Sequence, residues 1–194
     1  MYYYPYSYYW HFPVYNDDRQ FFYGAFPYNG MSQVSEYEMP YSYPTDNRIL
    51  LKDYGPEPFV VNINEATKQN DTFRTALWTG HHLQVTLMSI PVGGDIGLEI
   101  HPGTDQFLRV EQGQGIVRMG KNKNNLNYVR NISDDFAIMV PAKTWHNVTN
   151  TGDIPLKLYS IYAPPHHPFG TVHRTKADAI AAESEHGHGN RNTD

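Results

Sequence analysis

The stretch "GLEIHPGTDQFLRVEQGQG", residues 97–115, sets Glu99, His101 and Gln106 among apolar residues and glycines. A carboxylate, an imidazole and an amide oxygen can each ligate a metal or join a hydrogen-bond network, and their spacing decides which they can do together. Alternate side chains of a β-strand share a face, so Glu99 and His101 point to one side while Ile100 points away. Beyond the turn at Pro102-Gly103, Gln106 enters on the next strand with Leu108 and Val110 on its face. Gly113 and Gly115 then end that strand and start another without a Cβ clash. Two chemistries stand open at this point: convergence on a divalent cation, or a polar network at the edge of a sheet.

The elements that must position these groups are short. From Arg48 onward β-like runs recur: "RILLKDY", "TFRTALWTG", "HLQVTLMSI", "IGLEIH", "QFLRVEQG", "GIVRMG", "NYVRNI", "FAIMVP" and "PLKLYSIYA". Their lengths and intervening turns favour an antiparallel sandwich or small barrel over alternating βα units. Helical signal is confined to "NEATKQN" and to "TKADAIAAESE", where Thr175 is placed to cap and the alanines favour helix. The second helix ends near "HGHGNRNTD", read as an exposed polar tail.

Twelve of the 16 tyrosines precede Pro44, interspersed with Pro5, Pro13, Pro27 and Pro40, and the composition shifts sharply near Asn47. The expected organisation is therefore a Tyr/Pro-rich extension over residues 1–44, a barrel with flanking strands and strap over 45–174, and a short helix with a flexible tail over 175–194. The aromatic arm offers large contact areas with polar tips. Such an arm suits packing on its own domain, exchange in a dimer, or attachment to a larger protein layer.

A chain of 194 residues, 40% of them hydrophobic, supplies one substantial core. The formal charge of -5 gives no general electrostatic reason to bind nucleic acid or an anionic membrane. Without cysteine there are no disulfides, thiolate ligands or thiol nucleophile, and the compartment stays open. No basic leader with an aliphatic stretch is present, nor a run of the roughly 20 apolar residues that cross a bilayer. The expected localisation is cytoplasmic or spore- or particle-associated. Phosphate-binding loops, dinucleotide fingerprints and nucleophile elbows are absent, which leaves the polar cluster as the place for chemistry.

Together with "DDFAIMVPAKTWHNVTN" at residues 134–150, the glycine-bounded stretch resembles the two motifs of the cupin family. In the usual first motif, two histidines one residue apart are followed by a glutamate; here Glu99 stands at the first histidine, His101 at the second and Gln106 at the glutamate. Gly93 and Gly113 match the bracketing glycines. Pro141, His146 and Asn150 match the second motif, whereas Lys143 stands where glycine is common. The resemblance implies an all-β fold, a double-stranded β-helix (jelly-roll) barrel, here with a C-terminal helix. It also implies one divalent transition metal at the open end (Mn, Fe, Ni, Co or Zn), held by Glu99, His101, Gln106 and His146. Glutamate for histidine keeps a ligand, and glutamine for glutamate removes a charge.

The implied function is action on a small oxygen-containing molecule such as a sugar or organic acid, of isomerase or dioxygenase type, with the metal as Lewis acid. The alternative is a noncatalytic structural protein of a spore coat or similar surface layer, carried by the aromatic arm. Barrels of this family pair through sheet edges, so a homodimer is expected.

Other polar groups take secondary places. His82 and Gln84 alternate in "GHHLQVTLMS" and are expected to line the cavity, His82 as an acid or base because imidazole titrates near ordinary pH. Arg109 and Glu111 alternate away from Gln106 and are expected outside the cavity, as an ion pair or at an interface. Tyr128 and Arg130 share one side of a strand and Tyr162 is expected near the rim, groups suited to hold a sugar or organic acid or to pack an interface, and Trp145 is expected on the outer surface behind His146. Lys121, Asn122 and Lys123 form a solvent-facing hairpin. In "YAPPHHPFGTVHRTKADA", Pro164, Pro165 and Pro168 restrict the backbone to a fixed strap, serving as a subunit contact or as a lid carrying His166 or His167.

Overall fold

The computed structural model describes residues 48–188. Expectations for residues 1–44 and for the last six residues of the polar tail lie outside the described residues.

Most of the expected runs form strands: β1 (Arg74–Thr79), β2 (Gln84–Ile90), β3 (Asp105–Gln112), β4 (Gln114–Gly120), β5 (Tyr128–Ser133), β6 (Ala137–Val140), β7 (Trp145–Asn150) and β8 (Leu156–Ala163). The strap adds a two-residue strand, β9 (Val172–His173). All the pairings are antiparallel, in a six-stranded sheet ordered β6-β3-β8-β2-β1-β9 and a three-stranded sheet ordered β5-β4-β7. The two sheets enclose one apolar interior in a jelly-roll barrel. Inward alternation supplies Met88 and Ile90 of β2, Leu108 and Val110 of β3, Val117 and Met119 of β4, Val148 of β7 and Leu158 of β8, all buried in one cluster.

Two expected strands are corrected. "IGLEIH" does not form a regular strand, because Gly97 adopts φ +97° and breaks the extended run. The segment instead touches β7 at isolated bridges, Asp95 to Thr149 and Glu99 to His146. "RILLKDY" is irregular as well: the Gln69 side-chain amide takes both backbone groups of Ile49, and the Tyr54 amide donates to the Leu77 carbonyl without extending a ladder. Ile49, Leu51 and Tyr54 pack on Leu77 and Leu87, covering the outer face of the larger sheet together with the helix α1 (Ile63–Gln69).

Both helices begin where the sequence places them. The Asn62 side chain accepts from the Glu65 amide and caps α1. At α2 (Lys176–His188), Thr175 Oγ1 accepts from the Asp178 amide while Asp178 accepts from the Thr175 amide, a reciprocal capping box. Ala179 of α2 enters the main core beside Phe73 and Ile96. The helix thus covers the seam between β1 and the irregular segment 95–99.

Glu111 lies outside the cavity and pairs with Arg109, as expected, but it is covered by α1 instead of facing solvent. It is buried, accepting from Asn64 Nδ2 of α1 while pairing with Arg109, which also reaches Asp135 at 2.5 Å. A bulge between Val110 and Gln112 shifts β3 against β8 at that point.

Two backbone sites carry measurable consequences. At Gly115 a Cβ would collide with the Thr149 carbonyl oxygen across the β4–β7 pair, so Gly115→Ala is expected to destabilise by about 2 kcal/mol or more in urea titration. Lys143 occupies the left-handed region at φ +65°, where glycine is favoured. Lys143→Gly is accordingly expected to raise stability by about 0.5–1 kcal/mol, read from the same titration; a loss would refute strain at this turn.

Candidate metal centre

The backbone sets the first two groups opposite each other. Glu99 and His146 exchange both N–H···O bonds, at 3.1 and 3.0 Å, as a directly opposed antiparallel pair. Their side chains therefore leave the backbone on the same side, and Glu99 Oε1 lies 3.2 Å from His146 Nε2. His101 follows at the turn, where its carbonyl accepts from the Lys143 amide at 2.9 Å, and its Nε2 reaches within 3.5 Å of the same Oε1. One ligand atom from each of Glu99, His101 and His146 lies within 4.8 Å of the other two.

The polar accounting of this cluster fits a cation. His146 Nδ1 is 2.9 Å from the Thr144 carbonyl, so it carries the proton and leaves Nε2 with its lone pair toward Glu99. Two lone pairs at that separation repel until a positive charge joins them. Glu99 Oε1, both His101 ring nitrogens and His146 Nε2 are buried without a hydrogen-bond partner among the described residues, an arrangement that costs stability unless a ligand satisfies it. Burial alone would raise the Glu99 pKa; the His101 imidazole, whose tautomer is not fixed by another partner, followed by the Arg74 charge, holds it well below the usual carboxylate range. Glu99 is thus present as carboxylate, and a carboxylate with two imidazoles suits a borderline divalent ion.

Gln106 sits on β3, in register with Tyr162 of β8. It is buried and donates from Nε2 to Ser160 Oγ at 2.9 Å, which leaves Oε1 buried with no hydrogen-bond partner. Tyr162 lies deeper than its expected rim position. It is fully buried with its ring centroid 5.6 Å from that of His101, and burial raises its phenol pKa.

His82 stands apart from this cluster. It belongs to the exposed turn between β1 and β2, closed by the Gly80 amide donating to the Leu83 carbonyl at 2.9 Å, before the strand alternation begins. The expected placement of His82 in the cavity is therefore corrected. Gln84, the next residue of that pattern, is buried but clamps the strap: its Oε1 accepts from the His166 and His167 amides at 3.2 and 2.9 Å, and its Nε2 donates to the His167 carbonyl at 2.9 Å. That clamp lays the His166 ring over His101, centroids 4.1 Å apart. The histidines that reach the site are those of the strap.

Tyr128 and Arg130 are far from this cluster in their contacts. They are exposed on edge strand β5, with Arg130 4.5 Å over the Tyr128 ring. Trp145 alternates away from buried His146 and lies under Lys123 Nζ at 5.4 Å, while Lys121, Asn122 and Lys123 are exposed as expected.

Sequence reading missed Arg74. It lies inward on β1, is 1% exposed, and its Nη2 stands 4.0 Å from Glu99 Oε2. A charged residue at an inward position of the otherwise uncharged run "TALW" and its flanks was the available signal.

A family model described as Cupin domain matches residues 86–162. An uncharacterized Bacillus subtilis (strain 168) protein, YrkC, is 66% identical over 187 residues, covering 94% of this chain and all of the relative. The chain belongs to the cupin family. A crystal structure of a Bacillus halodurans protein is 68% identical, with TM-score 0.67, and covers 67% of this chain and 98% of that one. An uncharacterized protein of Acanthamoeba polyphaga mimivirus is 40% identical over 115 residues, 59% of this chain and 70% of its own. Within the cupin frame, the first-motif carboxylate is exchanged for an amide at Gln106 and restored at Glu99, so the polar cluster keeps one negative charge.

The strap predicts a pH response. Burial first, then the Arg74 charge, lowers the His167 pKa from 6.5 to about 2. The folded state resists a proton that the unfolded chain accepts, so stability is full above about pH 6.5 and falls as pH drops below it. Urea titrations of metal-free protein between pH 7 and 4.5 should show this decline, with a shallower slope for His167→Gln. Equal slopes would remove His167 as the source.

Proposed function

We propose that this cupin holds one divalent transition metal through Glu99, His101 and His146, with Gln106 as a further oxygen ligand, and acts on a small oxygen-containing molecule. The observation that carries the reading is the convergence of the three ligand side chains within 4.8 Å, with their buried nitrogen and oxygen atoms left unsatisfied. When bound, the ion would supply Lewis-acid polarisation of an oxygen-bearing substrate. Isomerisation of a sugar or keto acid and oxidation by dioxygen are the reaction types in keeping with such a centre.

The chain's own groups have distinct parts in this reading. Ser160 fixes the Gln106 amide so that its oxygen remains available. Thr144 fixes the His146 tautomer through Nδ1, an outer contact that orients a ligating imidazole. The Gln84 clamp holds His166 over His101, limiting water at that side of the site.

Elemental analysis of natively purified protein, and calorimetric titration after stripping, are expected to show one bound ion per chain. Outer contacts alone are worth about 10–100-fold in metal affinity. Alanine at Glu99, His101 or His146 should therefore weaken uptake by more than about 100-fold, and Gln106→Ala by about 10-fold, while Gln106→Glu keeps or tightens it. Unchanged affinity in Gln106→Ala removes Gln106 from the ligand set. Absence of metal in the parent, as purified and after reloading, overturns the proposal.

A further inference from the structure

Arg74 is a buried charge that metal ligation does not explain. Only 1% of it is exposed, and its Nε and Nη1 are buried without a hydrogen-bond partner among the described residues. Its two ionic neighbours are distant: Glu99 Oε2 at 4.0 Å from Nη2, and Glu183 Oε1 at 3.9 Å from Nη1. The guanidinium also lies 5.6 Å over the Phe73 ring, but two of its buried nitrogens keep unpaired donors, which is costly until a partner completes them.

Arg74 also borders a cavity. A space of about 320 Å³ lies under α2, lined by Arg74, Glu99, Lys176 and Glu183 together with Phe73 and Ile96. That volume is at the small end of the roughly 300–1,000 Å³ range of small-molecule sites. Lys176 is already committed to Asp95 at 2.7 Å. Glu99 turns its other oxygen to the imidazoles of the metal centre. Glu183 differs from both, being 59% exposed on α2 and meeting Arg74 beyond hydrogen-bond distance.

We propose that this cavity binds the carboxylate of a small oxygenated acid on Arg74, and that Glu183 stands in for that carboxylate when no ligand is present. The inference rests on the metal-centre reading and deepens it, selecting an acid over a neutral sugar. An incoming carboxylate can form charge-assisted hydrogen bonds of about 2.7–2.9 Å to the unpaired guanidinium donors, a closer match than the present contact. Displacing Glu183 requires only that an exposed side chain return to water. Glu99 lines the same space, so the bound acid lies against the carboxylate whose other oxygen faces the imidazoles.

The two halves of the proposal predict opposite signs. Pyruvate is titrated calorimetrically into the metal-loaded full chain, with hydroxyacetone as a neutral control of similar size. The wild type should bind pyruvate and discriminate against hydroxyacetone. Arg74→Gln should weaken pyruvate by roughly 30-fold or more, as loss of a buried charge partner does. Arg74→Lys, which keeps the charge if the glutamine variant fails to fold, should fall between. Glu183→Gln, on the helix surface, should tighten pyruvate severalfold with metal content unchanged. Pyruvate affinity equal in wild type and Arg74→Gln, no preference over hydroxyacetone, or no tightening in Glu183→Gln overturns the inference while leaving the metal centre standing. Failure of metal uptake overturns the metal reading alone, and the same Arg74 and Glu183 contrasts are then read on the metal-free protein.

Discussion

The directly opposed backbone pair of Glu99 and His146 governs the geometry of this protein. Two residues that exchange both amide hydrogen bonds have no freedom to present their side chains on different faces. The segment carrying Glu99 is otherwise irregular, bent at Gly97, and is stitched to β7 only at Asp95 and Glu99 and to the preceding turn through the Lys143 amide. A few hydrogen bonds therefore decide whether the carboxylate and the imidazoles meet. Lys143 accepts a left-handed backbone so that its amide can reach the His101 carbonyl.

Charge follows from that geometry. With Glu99 in the place of a histidine and Gln106 in the place of the glutamate, the single carboxylate moves from β3 to the bridged segment, where it faces both imidazoles with one oxygen and Arg74 with the other. A carboxylate on β3 would have had Ser160 and Tyr162 as neighbours instead. The buried guanidinium lies beside the relocated charge at 4.0 Å, without a hydrogen bond to it. Its position under α2 brings the C-terminal helix, through Glu183, into the electrostatics of the barrel's open end.

The strap completes the enclosure. It leaves β8, is caught by the buried Gln84 amide, contributes β9 to the edge of the larger sheet opposite Arg74 and Thr75, and leads into α2. Side-chain amides suit such a clamp because they donate and accept in the same plane as a peptide group. The same chain segment therefore covers the site and closes the sheet edge. Asn150, from the second motif, has a comparable duty, donating to the Ile90 and Ile154 carbonyls and accepting from the Gly152 amide.

Local information in the sequence determined the periodicity of most strands, the cap at Thr175, the close approach at Gly115, and the chemical types of Glu99, His101 and His146. These depend on neighbours a few residues away or on the identity of the side chain itself. Tertiary structure decided which groups join the motif residues at the site. The irregular path of residues 95–101 replaced the expected strand because one glycine φ angle outweighed its apolar pattern. His82 fell on an exposed turn while His166 arrived from a residue 65 positions beyond His101. Arg74 and Glu183 were invisible as partners because their pairing spans the whole barrel. Alternation along a strand reports only the face on which a side chain lies; which other side chains occupy that face is set by sheet order and by the strap that crosses it.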